Sequence, residues 1–208
     1  MPIELFTYNT PNGRKISVAL EEMELPYTVK VIDITKGQQH DPAFLKISPN
    51  NKIPAIIDPD GPGGAPISVF ESGAILIYLG EKTGKFWPKD PRAHVSVLEW
   101  LMFQMGGFGP MPGQVHHFLQ VENEQDRRYG LERYSKETRR LYAVMNRRLA
   151  DTRFFAGEIS IADFAILGWA WRHERHKVDL NEFPHVKRWY DEMMARSGVQ
   201  RGFAVKLS

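Results

Sequence analysis

A proline stands at the mouth of an apolar run, Asn50-Asn51-Lys52-Ile53-Pro54-Ala55-Ile56. Proline cannot donate a ladder hydrogen bond, so Pro54 belongs at a strand start or edge, often through a cis peptide in a tight turn. That placement leaves the amide and carbonyl of Ile53 unpaired and open to an extended peptide. Phe70-Glu71-Ser72-Gly73 follows shortly, setting an acceptor and a hydroxyl where a strand gives way to a helix. Together these groups suit a small zwitterionic peptide.

Apolar periodicity divides the chain in two. Residues 3–8 read as a strand, and 14–24 as an amphipathic helix with Ile16, Ala19, Leu20 and Met23 on one face. A β-branched strand over 28–34 and a short helix over 42–47 follow. Strands over 55–58 and 67–70 bracket the hairpin loop Pro59-Asp60-Gly61-Pro62-Gly63-Gly64, and a helix over 72–83 ends at Gly84. The order β-α-β-α-β-β-α is that of an α/β thioredoxin-like domain, residues 1–86. Residues 87–91, rich in proline and charge, form a linker.

In residues 92–208 strand signals nearly vanish, and an all-α domain is expected. A helix over 92–105 is interrupted by the glycine-rich stretch 106–113. Leu131, Tyr134, Thr138, Leu141, Met145 and Leu149 mark a long helix, and a last helix spans 182–197. Ser160-Ile161-Ala162-Asp163 fits a capping box with Asp in the usual Glu place, a structural device rather than a site.

Composition narrows the chemistry. The 208 residues carry 27 basic and 25 acidic side chains, a formal net charge of +2, with no concentrated basic face for nucleic acid. No apolar stretch approaches a membrane span and no signal pattern opens the chain, so a soluble, cytoplasmic protein is expected. The absence of cysteine excludes a disulfide scaffold, a thiolate metal site and a protein thiol nucleophile. Any sulfur chemistry must use a thiol carried by a ligand. His116-His117 and His173-Glu174-Arg175-His176 lack zinc-ligand spacing, and no metal is expected.

The isoleucine–proline pair, the Glu71-Ser72 pair and the box at Ser160–Asp163, in this order, resemble the glutathione transferase fold across essentially the whole chain. Thr10-Pro11-Asn12-Gly13, the stretch Ile47 to Pro54, and residues 106–114 with His116-His117-Phe118 resemble the bacterial nu-class proteins, glutathione-dependent disulfide-bond oxidoreductases. The resemblance implies glutathione as co-substrate, a small disulfide or electrophile as its partner, and a homodimer. It implies that Thr10 and Asn12 face the glutathione sulfur and that Gln39 and Lys52 meet the glycine carboxylate. Ile53 pairs with the cysteinyl backbone, Glu71 takes the γ-glutamyl ammonium, and Ser72 takes the adjacent carboxylate. Arg133 contacts a second glutathione or glutathione disulfide. Tyr8 departs from that pattern, because other classes of the fold carry a catalytic tyrosine near this place.

Structural roles compete for each residue. Thr10 also reads as an N-cap before Pro11, Asn12 as a turn residue and Ser72 as an N-cap. Gln39, Lys52 and Arg133 also read as solvated surface. Energetically the chemistry is feasible. A thiol of pKa about 8.5 needs roughly 2.7 kcal/mol to fall by two units. A hydrogen bond to the anion contributes roughly 1.5–3 kcal/mol and a helix N-terminus about 0.3–1 kcal/mol more. The glycine-rich stretch would leave an adaptable wall over two sulfurs. Conjugation to electrophiles and non-catalytic glutathione binding are the competing functions.

Overall fold

Ile3, Leu5 and Thr7 alternate inward along β1 (Ile3–Thr7), the period-two pattern of a half-buried strand. The computed structural model describes residues 1–207. β1 pairs in parallel with β2 (Tyr27–Val31) and antiparallel with β3 (Ala55–Asp58), which pairs antiparallel with β4 (Ile67–Phe70). The sheet order is β2-β1-β3-β4. Because β1 and β2 are parallel, a crossover must join them, and α1 (Pro11–Met23) supplies it. A short helix α2 (Pro42–Leu45) leads toward β3, and α3 (Ser72–Thr83) follows β4 and packs on α1. The element order is that of the predicted thioredoxin-like domain.

The remaining elements are helical. α4 (Pro91–Phe103) runs into a π-helical turn, Gln104–Phe108, and then α5 (Pro110–Phe118). α6 (Glu124–Asp151) is 28 residues long and buries Thr138, Leu141, Tyr142, Met145 and Leu149 at helical spacing. α7 (Ile161–Ala170) is buried along its whole length and packs on α4, and α8 (Pro184–Met194) packs on α6. α9 (Ser197–Ala204) closes the fold.

Two differences from the sequence reading matter. The compact units are Met1–Trp87 together with the chain from Ala195 on, and Pro88–Met194. The tail expected inside the 92–208 helical domain therefore belongs to the first unit, where α9 packs on α1. Glu22 accepts from Arg196 (2.6 Å) and from the Val199 amide (3.1 Å), and Arg201 pairs with Glu21 (2.8 Å). Periodicity could not see this, since it reports one face of a helix and not its partner.

The glycine-rich stretch is also no interruption. The Gly109 amide donates to the Gln104 carbonyl at 2.8 Å, so the chain stays wound through the π turn into α5. A wide helical turn accommodates the extra residue that a sequence pattern reads as a break.

Candidate functional site

Thr10 sits at the N-cap of α1 with extended backbone (φ −128°, ψ 162°), and Pro11 fills the first helical position. The Thr10 Oγ1 accepts from the Gly13 amide at 3.1 Å. With that lone pair occupied, the hydroxyl hydrogen remains to be donated outward. Asn12 lies half-buried in the same turn. The turn carries no acid, so the helix dipole there is uncompensated and favours an anion. A Cβ on Gly13 would lie 2.3 Å from the Tyr8 carbonyl oxygen, so only glycine lets the loop close this tightly. Arg14 fixes that loop from behind. It donates to the Asn9 Oδ1 at 2.9 Å and to the carbonyls of Gly202 (3.2 Å) and Val205 (2.9 Å).

The N-terminus of α3 is built differently. Glu71 occupies the N-cap at φ 69°, ψ 117°, a conformation that is strained for a residue with a side chain, and its side chain makes no cap bond. Its carboxylate is exposed and accepts from the Asn50 amide group at 3.2 Å. Ser72 is therefore the first helical residue and not a cap. Its buried Oγ accepts from the Lys15 Nζ at 3.1 Å. Lys15 comes from α1 and is itself fully buried. Burial pushes its amine down to about 7, against the pull of the Glu71 carboxylate, which favours the ammonium.

Beside these two helix ends, the Ile53–Pro54 bond is cis and the paired register of β3 starts at Ala55. Ile53 thus precedes the ladder. The 50–52 turn is tied to the 38–40 turn by the Asn51 amide and the His40 Nδ1, 3.2 Å apart. Gln39 lies in that second turn with its Oε1 buried and without a partner among the described residues. Lys52 is exposed. The first unit therefore gathers Thr10, Asn12, Ile53, Glu71 and Ser72 on adjoining loops and helix ends.

Arg133 belongs to the helical unit. It stands exposed on α6 at the side of a cavity of about 610 Å³ whose lining mixes charges, Lys136 and Arg140 with Glu132 and Glu137, beside Tyr129 and Tyr134. Elsewhere in this unit the rings of His116 and His176 lie 4.9 Å apart between centroids at a tilt of 31°, and burial pushes them down to about 4 and about 3. Among the described residues no group of three His, Asp or Glu is placed to hold a metal ion. No helix of the described residues is long and apolar enough to cross a membrane.

Family comparison covers both parts of the chain. Residues 10–82 match the glutathione S-transferase N-terminal domain, and residues 94–197 match the glutathione S-transferase C-terminal domain. The chain belongs to the glutathione transferase family. It is 48% identical over 196 residues to the disulfide-bond oxidoreductase YfcG of Escherichia coli, covering 93% of this chain and 91% of that protein. A glutathione transferase from Pseudomonas putida, solved with one glutathione disulfide bound per subunit, superposes with a TM-score of 0.91 at 42% identity, covering 98% and 91% of the two chains. One from Burkholderia graminis, with two glutathione molecules bound per subunit, gives 0.91 at 40% identity, covering 97% and 87%.

Within this glutathione transferase fold, sequence reasoning passed over Lys15 and Asn50. A signal for Lys15 was present: Arg14-Lys15 follows closely on a helix N-terminus, the end where cations are disfavoured. Such a lysine needs a reason, and its bond to Ser72 is one. Asn50 stands in the sequence only as part of the run before Pro54, and only the fold brings it to Glu71.

Proposed function

We propose that this chain is a glutathione-dependent disulfide-bond oxidoreductase whose reactive sulfurs belong to bound glutathione. What carries the reading is the pairing of an anion-seeking α3 N-terminus with an unladdered Ile53, in a chain that contains no cysteine. In this reading the tripeptide lies along Ile53 as an added strand. Glu71 accepts from its ammonium, and Ser72 donates to the neighbouring carboxylate. Gln39, whose buried oxygen lacks a partner among the described residues, and Lys52 attend the glycine end.

The outward hydrogen of Thr10, with Asn12, stabilises the thiolate at the start of α1. Two glutathione molecules then reduce one disulfide. The first thiolate attacks a substrate sulfur and forms a mixed disulfide, releasing one thiol. The second attacks the glutathione sulfur of that mixed disulfide, giving glutathione disulfide and the other thiol. Arg133, with the cavity beside it, contacts the second glutathione or the disulfide product. The solved relatives holding one glutathione disulfide or two glutathione molecules per subunit support a reading with two glutathione units per subunit.

The reading includes a cytoplasmic homodimer. Exposed Val95 and Met102 on α4 and Tyr129 on α6 supply apolar surface for pairing. Light scattering tests the pairing. A side-by-side assay with glutathione on a small disulfide and on an aryl halide tests the reaction. Disulfide reduction should dominate, vanish in Thr10→Ala and survive in Tyr8→Phe. Faster conjugation that depends on the Tyr8 hydroxyl would replace this reading with the competing one.

A further inference from the structure

We propose that Lys15 is a positioning residue for the glutathione site: its buried amine holds the Ser72 hydroxyl as a donor toward the γ-glutamyl carboxylate and takes up a proton when that carboxylate arrives. The inference rests on the glutathione reading above.

The geometry is specific. Lys15 is 1% exposed and Ser72 4% exposed, with Nζ and Oγ 3.1 Å apart. Once Lys15 is charged, its ammonium has hydrogens to give and no lone pair, so the Ser72 oxygen accepts from it and the serine hydrogen must point elsewhere. A donor is thereby fixed at the first turn of α3, where a carboxylate is already favoured by the helix dipole. Low polarity around both groups strengthens the bond and makes the amine sensitive to any new charge nearby.

The surrounding charges point the same way. From α3, the Glu71 carboxylate acts on the Lys15 amine and favours its charged form. On α1, Arg14 turns to Asn9 and to tail carbonyls, while Glu21 and Glu22 pair with Arg201 and Arg196 on and beside α9. Further along α3, Lys82 pairs with Asp58 at 2.9 Å. The ammonium of the incoming ligand would claim much of Glu71, so the ligand carboxylate at Ser72 becomes the new counter-charge for Lys15. With its amine held at about 7 by burial, Lys15 is largely neutral in the free protein at pH 8. Arrival of a carboxylate restores the proton.

S-methylglutathione, which has no thiol proton, isolates this step. Calorimetric titration in buffers of different ionisation heat counts the protons bound. The wild type should take up a large part of one proton at pH 8 and much less at pH 6. Lys15→Met should take up only what the amine of the ligand accounts for, and at pH 6 should bind about tenfold more weakly, through loss of a charge-assisted bond. Binding by the wild type at pH 8 without proton uptake overturns the proposal, whether or not the variant folds. So does uptake of the same size in Lys15→Met. Failure of the wild type to bind S-methylglutathione overturns the glutathione reading itself, and the positioning role falls with it.

Discussion

Two helices in this molecule begin with a serine and an acid, and they treat them in opposite ways. At α7, the Ser160 Oγ accepts from the Ala162 amide, and Asp163 accepts from the Ser160 amide (2.9 Å), the Phe155 amide (3.3 Å) and the Trp189 indole (2.9 Å). Every partner is internal and the carboxylate is fully buried. At α3, Glu71 caps nothing, holds a positive φ and keeps its carboxylate in solvent, while Ser72 rests on a buried lysine. An end whose polar groups are satisfied by the chain itself holds the fold together. An end that leaves its acid in solvent and rests its serine on a buried lysine is not held by its own cap, and it suits the ligand role proposed for it.

The largest effect should come from the satisfied end. Asp163→Ala strands four buried donors in one step, the Phe155 and Ser160 amides, the Ser160 hydroxyl and the Trp189 indole, and should cost about 3–5 kcal/mol of stability. Urea unfolding measures it, and the glutathione affinity of the folded fraction should not move. A cost under about 1 kcal/mol would erase the contrast between the two helix starts.

Next comes the start of α1 in the other unit, proposed above to hold the thiolate. Thr10→Ala removes both the cap bond to Gly13 and the outward hydrogen. It should lower kcat by about a hundredfold to a thousandfold, as loss of a preorganised donor to an anion does, with roughly 1 kcal/mol of stability. Thr10→Ser should restore most of both. Ser72→Ala, by contrast, should raise KM and leave kcat nearly intact. If both variants changed the same constant, the division between a sulfur end and a carboxylate end would fail.

Acid should separate the units in another way. His176 is 1% exposed, and burial with the positive field of His116 lowers it to about 3, while its unfolded value is about 6.5. Between those values the unfolded chain binds a proton that the native one refuses, so stability falls as pH drops below about 6.5. At pH 5 the loss from His176 is about 2 kcal/mol relative to pH 7. Asp163 works against it: burial raises the folded carboxyl to about 6, so protonation there favours the native state as pH falls from about 6 toward its ordinary value. Urea midpoints at pH 7 and pH 5 for the wild type and His176→Gln isolate the histidine share. The variant should lose less on acidification; an equal loss in both would remove His176 as the cause.

Much of this contrast was already legible in the chain. Ser160-Ile161-Ala162-Asp163 announced a cap because both partners lie within one helical turn, where spacing is decisive. The strands over 55–58 and 67–70 and the helix over 72–83 were legible for a similar reason: prolines and glycines bound them locally. What escaped depends on distant partners. Ser72 looked like an N-cap until its oxygen met Lys15, 57 residues away in the chain. The expected last helix, 182–197, stays in the helical unit as α8, but the tail beyond it, with no helix expected there, folds as α9 and joins the first unit, where Arg196 and Arg201 meet Glu22 and Glu21. Residues 106–113 looked like a break because glycine clusters usually mark one, and a π turn has no sequence period of its own.

The smallest expected effect is also the one that most directly tests what the α3 start is for. A residue with a side chain at φ 69°, ψ 117° costs about 1–3 kcal/mol, a cost glycine escapes. Glycine loses more freedom on folding, by roughly 0.5–1 kcal/mol, so Glu71→Gly should stabilise the protein by about 1 kcal/mol on balance. For a chain of this size that is a rise in Tm of about 2–4 °C. The same variant gives up the carboxylate proposed for the ligand ammonium and should bind glutathione several-fold more weakly. Glu71→Ala should share the weaker binding without the added stability, since alanine keeps the Cβ that causes the strain. A stabilised Glu71→Gly that binds poorly means the strain is retained for the carboxylate it presents. A destabilised one means that Glu71, like Asp163, is held in place for the fold alone.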